Sequence, residues 1–217
     1  VASTVPNCRA WDPCYGYELA VIVEDGARRM LEAQEDVFYY LTVMNENYVH
    51  PPMPEGAREG ILKGMYRVRA TKKAQVQLLG SGAILRECLA AAEELEGEHG
   101  IAADVWSVTS WSELRWDGML AAGASDAVRE VRAVYEGTAS KTPWIAQCLD
   151  GTQGPIVAAS DYVSALADLV RPYVPVGRTF VALGTDGYGR SDTRAALRRF
   201  FAVDRDAIVA AALGARG

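Results

Sequence analysis

The chain has 217 residues, half of them hydrophobic and 23% charged, the composition of a globular protein with a sizeable core. Its net charge of -6 argues against a nucleic-acid surface as its main business. No apolar run nears the roughly 20 residues of a membrane span, and two histidines are too few for a histidine-rich metal site.

Residues 1–7 contain no basic segment followed by an apolar one, so no signal peptide is expected there. Without an initiator Met, the chain reads as a fragment or a processed product. Asp12-Pro13 predicts a helix start, with Asp as cap and Pro in the first turn. The apolar positions Tyr17, Leu19, Ile22, Val23, Met30 and Leu31 then recur at helical spacing. Residues 37–44 are aromatic and β-branched without clean alternation, which predicts a strand buried on both faces. Pro51, Pro52 and Pro54 remove donors and fix φ, so 49–65 reads as an extended linker, with a short helix or turn from Glu55.

From Lys72 strands and helices alternate. Strands are expected at 75–79, 103–109, 144–149, 155–159 and 179–183. Helices are expected at 83–99 (stopped by Gly100), 125–135, 160–172, 192–201 and 204–213. Residues 110–123 read as a loop or short helix. The sum is an α/β chain: an open, largely parallel α/β/α sandwich after the linker.

Gly80-Ser-Gly82 follows a strand and opens a helix, the setting of a dinucleotide fingerprint. The third glycine should stand at 85, and 85 is Leu, so a tight turn is the plainer reading. Gly184-Thr-Asp-Gly-Tyr-Gly-Arg-Ser-Asp192 is the stronger candidate, a glycine-rich loop between a strand and a helix. Its possible cleft residues are Asp186, Tyr188, Arg190 and Ser191, with Ser191 or Asp192 capping the helix. Asp186 would repel a phosphate. Arg190, Arg194 and Arg198 share a helical face that could take a carboxylate but reads more simply as a solvated basic face. Thr185-Asp-Gly187 imitates part of a thiamine-diphosphate signature, yet Asn stands only at 7, 45 and 47, so none follows to close it. Glu46 and His50 are four apart, but the prolines that follow argue against a helical acid/base pair. The four cysteines read as reduced structural thiols, and the tryptophans at 106, 111, 116 and 144 as core and interface.

An ordered set of segments is more specific than any of these motifs. Val5-Pro-Asn-Cys8, Phe38-Tyr-Tyr-Leu-Thr42, Asn45-Glu-Asn-Tyr48, Met53-Pro-Glu-Gly56, Leu78-Leu-Gly-Ser-Gly82, Ser107-Val-Thr-Ser110 and Leu183 to Asp192 occur in this order. Together they resemble the C-terminal part of the homodimeric pyruvate dehydrogenase E1 component, in the transketolase superfamily. The resemblance implies a transketolase C-terminal-like three-layer α/β/α domain with a mostly parallel sheet at 66–217. The last helix and strand of a second, pyrimidine-binding α/β domain would lie at 1–48, before the linker. It implies an enzyme that decarboxylates pyruvate on thiamine diphosphate with Mg²⁺ and acetylates the lipoyl group of E2 in the cytoplasm. It places the catalytic, cofactor and metal residues outside this chain, leaving dimerisation and the cleft rim here, with no nucleic acid or membrane as partner. By this reading the chain alone is inactive. The alternatives are a non-catalytic assembly or regulatory module of the same fold, and a small nucleotide binder using Gly80–Gly82.

Overall fold

The computed structural model describes residues 2–130 and 140–216. Two parallel strands, β1 (Cys8–Trp11) and β2 (Phe38–Leu41), form a small sheet. Helix α1 (Gly16–Ala27) connects them and continues as a π turn over Arg28–Glu32. Asp12 does not cap α1. The helix starts at Gly16, and Glu18 in its first turn accepts the amides of Cys14 at 2.6 Å and Tyr15 at 2.8 Å. β2 is also not buried on both faces: Phe38 and Tyr40 are about half exposed. Only its other face packs, with Tyr39 and Leu41 against the cluster of Trp11, Val21, Ile22 and Ile61.

After the proline segment come α2 (Ala57–Lys63) and a strand the sequence does not announce, β3 (Met65–Arg69). β3 is the antiparallel edge of a five-stranded sheet of order β3-β5-β4-β6-β7. The other strands, β4 (Val76–Gly80), β5 (Ala103–Val108), β6 (Ile156–Ala159) and β7 (Phe180–Leu183), pair in parallel. The helices are α3 (Ile84–His99), α4 (Trp111–Ala121), α5 (Trp144–Leu149), α6 (Ser164–Asp168), α7 (Arg194–Phe200) and α8 (Arg205–Gly214). None of the described helices is long and apolar enough to cross a membrane.

The period of two in β4 sends its side chains to both faces of the sheet. Val76 and Leu78 join α3 and α8 in one core, with Ile84, Leu85, Cys88 and Ile208. Leu79 joins α4, α5 and α6 in the other, with Trp106, Trp111, Leu114 and Ile145. Each of these fully buried aliphatics contributes about 1.5–3 kcal/mol. Gln77, on the face of Leu79, is satisfied by Trp106 Nε1 at 2.9 Å. The fold is thus the three-layer α/β/α arrangement expected.

Several local expectations change. Residues 144–149 form a helix, since Ile145 and Leu149, four apart, are its buried positions. Residues 160–163 are a turn, and only Ser164–Asp168 and a 3₁₀ turn at Arg171–Tyr173 are helical there. Residues 111–121 are a full helix, capped by Ser110. Residues 126–130 are helical; the rest of the helix expected to 135 lies outside the described residues.

Candidate functional site

In open α/β sheets ligands bind beyond the carboxyl ends of the strands, where the strand order reverses. Here that point lies between β4 and β6, since the chain leaves β4 toward β5 and returns to β6 on the other side. Gly80 closes the turn tightly: a Cβ there would lie 2.7 Å from Leu85 Cα. Close packing of helix on strand is thus supplied by Gly80 itself, and position 85 is free to be a buried Leu.

Asp12 occupies the crevice. Its main-chain amide donates to Thr109 O at 2.8 Å, and its carbonyl accepts Gly82 N at 3.0 Å. Thr42 Oγ1 donates to its Oδ1 at 2.7 Å, while Oδ2 is enclosed without a hydrogen-bond partner. A Cβ at Gly82 would lie 2.7 Å from Oδ1, so Gly82, at φ 49°, is what admits the carboxylate. Burial pushes the Asp12 carboxyl up to about 6. The Thr42 and Ser81 hydroxyls work against that rise, and the Asp161 and Glu18 charges add to it. Beyond Asp12 opens a cleft of about 530 Å³, faced by Ala10, Phe38, Tyr40, Trp111 and Tyr162. The turn amides that would greet a diphosphate are taken: Ser81 N by Ala159 O and Gly82 N by Asp12 O. A carboxylate stands in front of them. The described residues here therefore do not fit thiamine diphosphate or a dinucleotide.

The loop of 184–192 shapes a second cleft of about 260 Å³ with Met44, Asp161 after β6, and α7. Gly184 is required by close approach, since a Cβ would lie 2.2 Å from Ser164 N. Thr185 fastens the loop by donating its amide to Tyr162 O at 2.7 Å and its hydroxyl to Asp161 O at 2.8 Å. Gly187 turns the chain at φ 108°. Of the four candidate residues, only Arg190 lines this cleft, with its guanidinium stacked 4.1 Å from the Phe200 ring centroid. Asp186 accepts Ser164 N at 3.3 Å. Tyr188 projects into solvent and Ser191 is exposed. The cap of α7 is Thr193, whose hydroxyl accepts Ala196 N, and not Ser191 or Asp192.

Of the arginines expected on a solvated basic face, Arg190 and Arg194 are exposed, but Arg198 is not. Arg198 is 9% exposed and bridges Glu46 at 2.6 Å and Glu87 at 3.1 Å. Arg86 reaches the same Glu46 at 2.9 Å, and Arg194 lies 3.8 Å from it. Burial acts to raise the Glu46 carboxyl, and the three guanidinium groups together outweigh that and hold it low. Glu46 thus clasps the stretch just before the proline-rich segment to α3 and α7. His50 does not meet it as an acid/base partner; its Nδ1 accepts Gly16 N at 2.8 Å. Asp12 was legible only as a helix cap, and nothing in the spacing of Glu46 pointed to three arginines far along the chain. Among the described residues Glu94, Glu98 and His99 lie within 4.8 Å of one another on the exposed end of α3, as acidic surface groups often do. The four cysteines form no disulfide, and burial raises the thiols of Cys14 and Cys148 to about 12.

A mixed, mostly parallel sheet with one antiparallel edge and helices on both faces is the transketolase C-terminal-like fold. Residues 64–204 match the transketolase-like TK C-terminal domain, and the chain belongs to that family. Residues 1–51 match the pyruvate dehydrogenase E1 component middle domain. The chain is 52% identical over 218 residues to the pyruvate dehydrogenase E1 component of Pseudomonas aeruginosa, covering 99% of this chain and 24% of that protein. It is 48% identical to that of Escherichia coli K12, covering 97% and 23%, and 43% identical to that of Mycobacterium tuberculosis, covering 99% and 23%. The chain thus spans about a quarter of the length of the curated relatives it matches. Among solved structures, transketolase of Campylobacter jejuni superposes with a TM-score of 0.64 at 17% identity, covering 98% of this chain and 27% of that one. Transketolase of Leishmania mexicana gives 0.59 at 17%, covering 99% and 26%. At that identity the likeness is one of fold.

Proposed function

We propose that this chain is the carboxyl-terminal quarter of a pyruvate dehydrogenase E1 component, comprising the end of its middle domain (1–48), a linker (49–65) and its transketolase-type domain (66–217). In that reading the whole enzyme decarboxylates pyruvate on thiamine diphosphate and Mg²⁺ and passes the acetyl group to the lipoyl group of E2, as a cytoplasmic homodimer. The cofactor supplies the carbanion chemistry. It is held by parts of the enzyme outside these residues, which contribute dimer surface and the rim of the cleft. The observation that carries the reading is the 52% identity to a pyruvate dehydrogenase E1 component across 99% of the chain. The blocked β4/β6 crevice supports placing the cofactor elsewhere.

Titration of the 217-residue chain with thiamine diphosphate and Mg²⁺ by calorimetry should give no binding heat. Saturable micromolar binding would overturn the assignment of the cofactor to other parts of the enzyme. In a full-length E1, Asp186→Asn and Arg190→Gln test the rim. The expected outcome is acetyl transfer reduced by about tenfold, or 1.4 kcal/mol, with an unchanged melting temperature. Unchanged transfer with a weakened dimer would make the loop scaffold instead.

A further inference from the structure

The opposite edge of the sheet, before the strands begin, carries a cavity with no role in the reading above. It measures about 430 Å³ and is bounded by Gln75, Gln153, Gly154, Arg178, Thr179 and Arg216 among others. Gln75 immediately precedes β4 and Thr179 immediately precedes β7. The cavity is therefore far from the Asp12 crevice and the 184–192 loop, both at the carboxyl ends of the strands.

Among the described residues two guanidinium groups and no carboxylate line it. Arg178 is fixed in place: Nε donates to Gly154 O, and Nη1 donates to Thr152 O and Oγ1, each at 3.2 Å. Its Nη2 is enclosed without a hydrogen-bond partner. Burial lowers the Arg178 pKa, and no nearby acid counters that fall. Arg216, at the end of α8, donates to the neutral Gln75 Oε1 at 3.1 Å. Other buried arginines meet acids, as Arg9 meets Glu113, Arg29 meets Glu35 and Arg198 meets Glu46. Arg178 and Arg216 instead face neutral groups together in one cavity, within a chain of net charge -6.

We propose that this cavity binds an oxyanion, a phosphoryl or carboxylate group, between Arg178 and Arg216. Guanidinium groups suit both, because their planar N–H forks match paired oxygens. Arg178 is already held by three hydrogen bonds, so little of its side-chain freedom remains to be lost on binding. The space beyond the anionic group admits the organic body of a phosphate ester or a small acid.

The test is thermal unfolding of the chain with inorganic phosphate, acetate or chloride at matched ionic strength. Phosphate or acetate at about ten times its dissociation constant should raise the midpoint by about 3–6 °C over chloride. A rise with phosphate alone identifies a phosphoryl site, and one with acetate a carboxylate site. Arg216→Gln, at an exposed position with one side-chain hydrogen bond, should abolish the rise. Equal midpoints in all three salts, or an undiminished rise in Arg216→Gln, would overturn the proposal. If that variant fails to fold, the Arg178 Nε–H resonance of the unsubstituted chain decides. It must move with phosphate or acetate and stay still with chloride; otherwise the proposal is wrong.

Discussion

Asp12 is held in a place that costs it its ordinary acidity. The unfolded chain releases the Asp12 proton near the ordinary value of 3.8, and the folded chain keeps it to about 6. Between those values the folded state binds more protons, so this residue's contribution to stability falls as pH rises through that window and stays lost above it. The difference corresponds to about 3 kcal/mol. Asp12→Asn keeps an oxygen for Thr42 and removes the titration. Urea unfolding at pH 4 and pH 7 should therefore show the variant gaining about 2.4 kcal/mol on the unsubstituted chain between the two. A constant difference would mean that Asp12 is already ionised at pH 4 or well hydrated. The sequence could not show this. Asp followed by Pro is a sound helix-start signal, and the crevice that claims Asp12 is built from Ser81, Gly82 and Thr109, about 70 or more residues further on.

Helix α7 and the stretch leading into the proline-rich segment share one carboxylate cluster. Arg198 lies between Glu46 and Glu87, with Asp161 also near enough to act on it. Arg198→Met keeps the aliphatic stem but leaves these acids without their central cation, a loss of about 2–3 kcal/mol at pH 7. The Glu46 carboxyl is held low, so the clasp contributes above the ordinary carboxylate range and fades as pH falls through the lowered folded value. The deficit of Arg198→Met should accordingly shrink in unfolding measured below about pH 4; a deficit independent of pH would make Arg198 a packing residue only. Elements with strong local signals were legible: α3 from its apolar face and its stop at Gly100, α8 from its Asp204 cap, and β4 to β7 from their apolar runs. The misreadings have physical causes. Trp144 to Leu149 is too short for period to separate helix from strand. β3 carries Arg67 and Arg69, charges suited to an edge strand that hide its alternation. Of the loop candidates, Arg190 reaches its cleft because Gly184 lets the chain cross the turn at 162–164. No local pattern distinguishes it from exposed Tyr188.

The small β1/β2 unit and the five-stranded domain share buried contacts that a linear reading divides at the prolines. Glu18, fully buried in α1, accepts Tyr66 Oη of β3 and Ser107 Oγ of β5, both at 2.6 Å, besides the amides of Cys14 and Tyr15. Arg9 of β1 pairs with Glu113 of α4 out of solvent, and Ser110 Oγ donates to Ala10 O. Trp11, Ile22, Ile61 and Tyr66 form one apolar cluster across the join. Removing either side would strand a buried carboxylate and a guanidinium, each costing several kcal/mol. The chain should therefore unfold as one cooperative unit, with tryptophan fluorescence and far-ultraviolet circular dichroism tracing the same urea midpoint. Glu18→Gln is the sharper probe. Its amide offers one acceptor oxygen where the carboxylate has two, and its NH₂ would face groups that need an acceptor. A loss of about 3–4 kcal/mol is expected, with both signals moving together. Were fluorescence and circular dichroism to separate, the two units would be held by contact without shared stability. The buried Glu18 network would then orient residues 1–48 against the sheet without stabilising either.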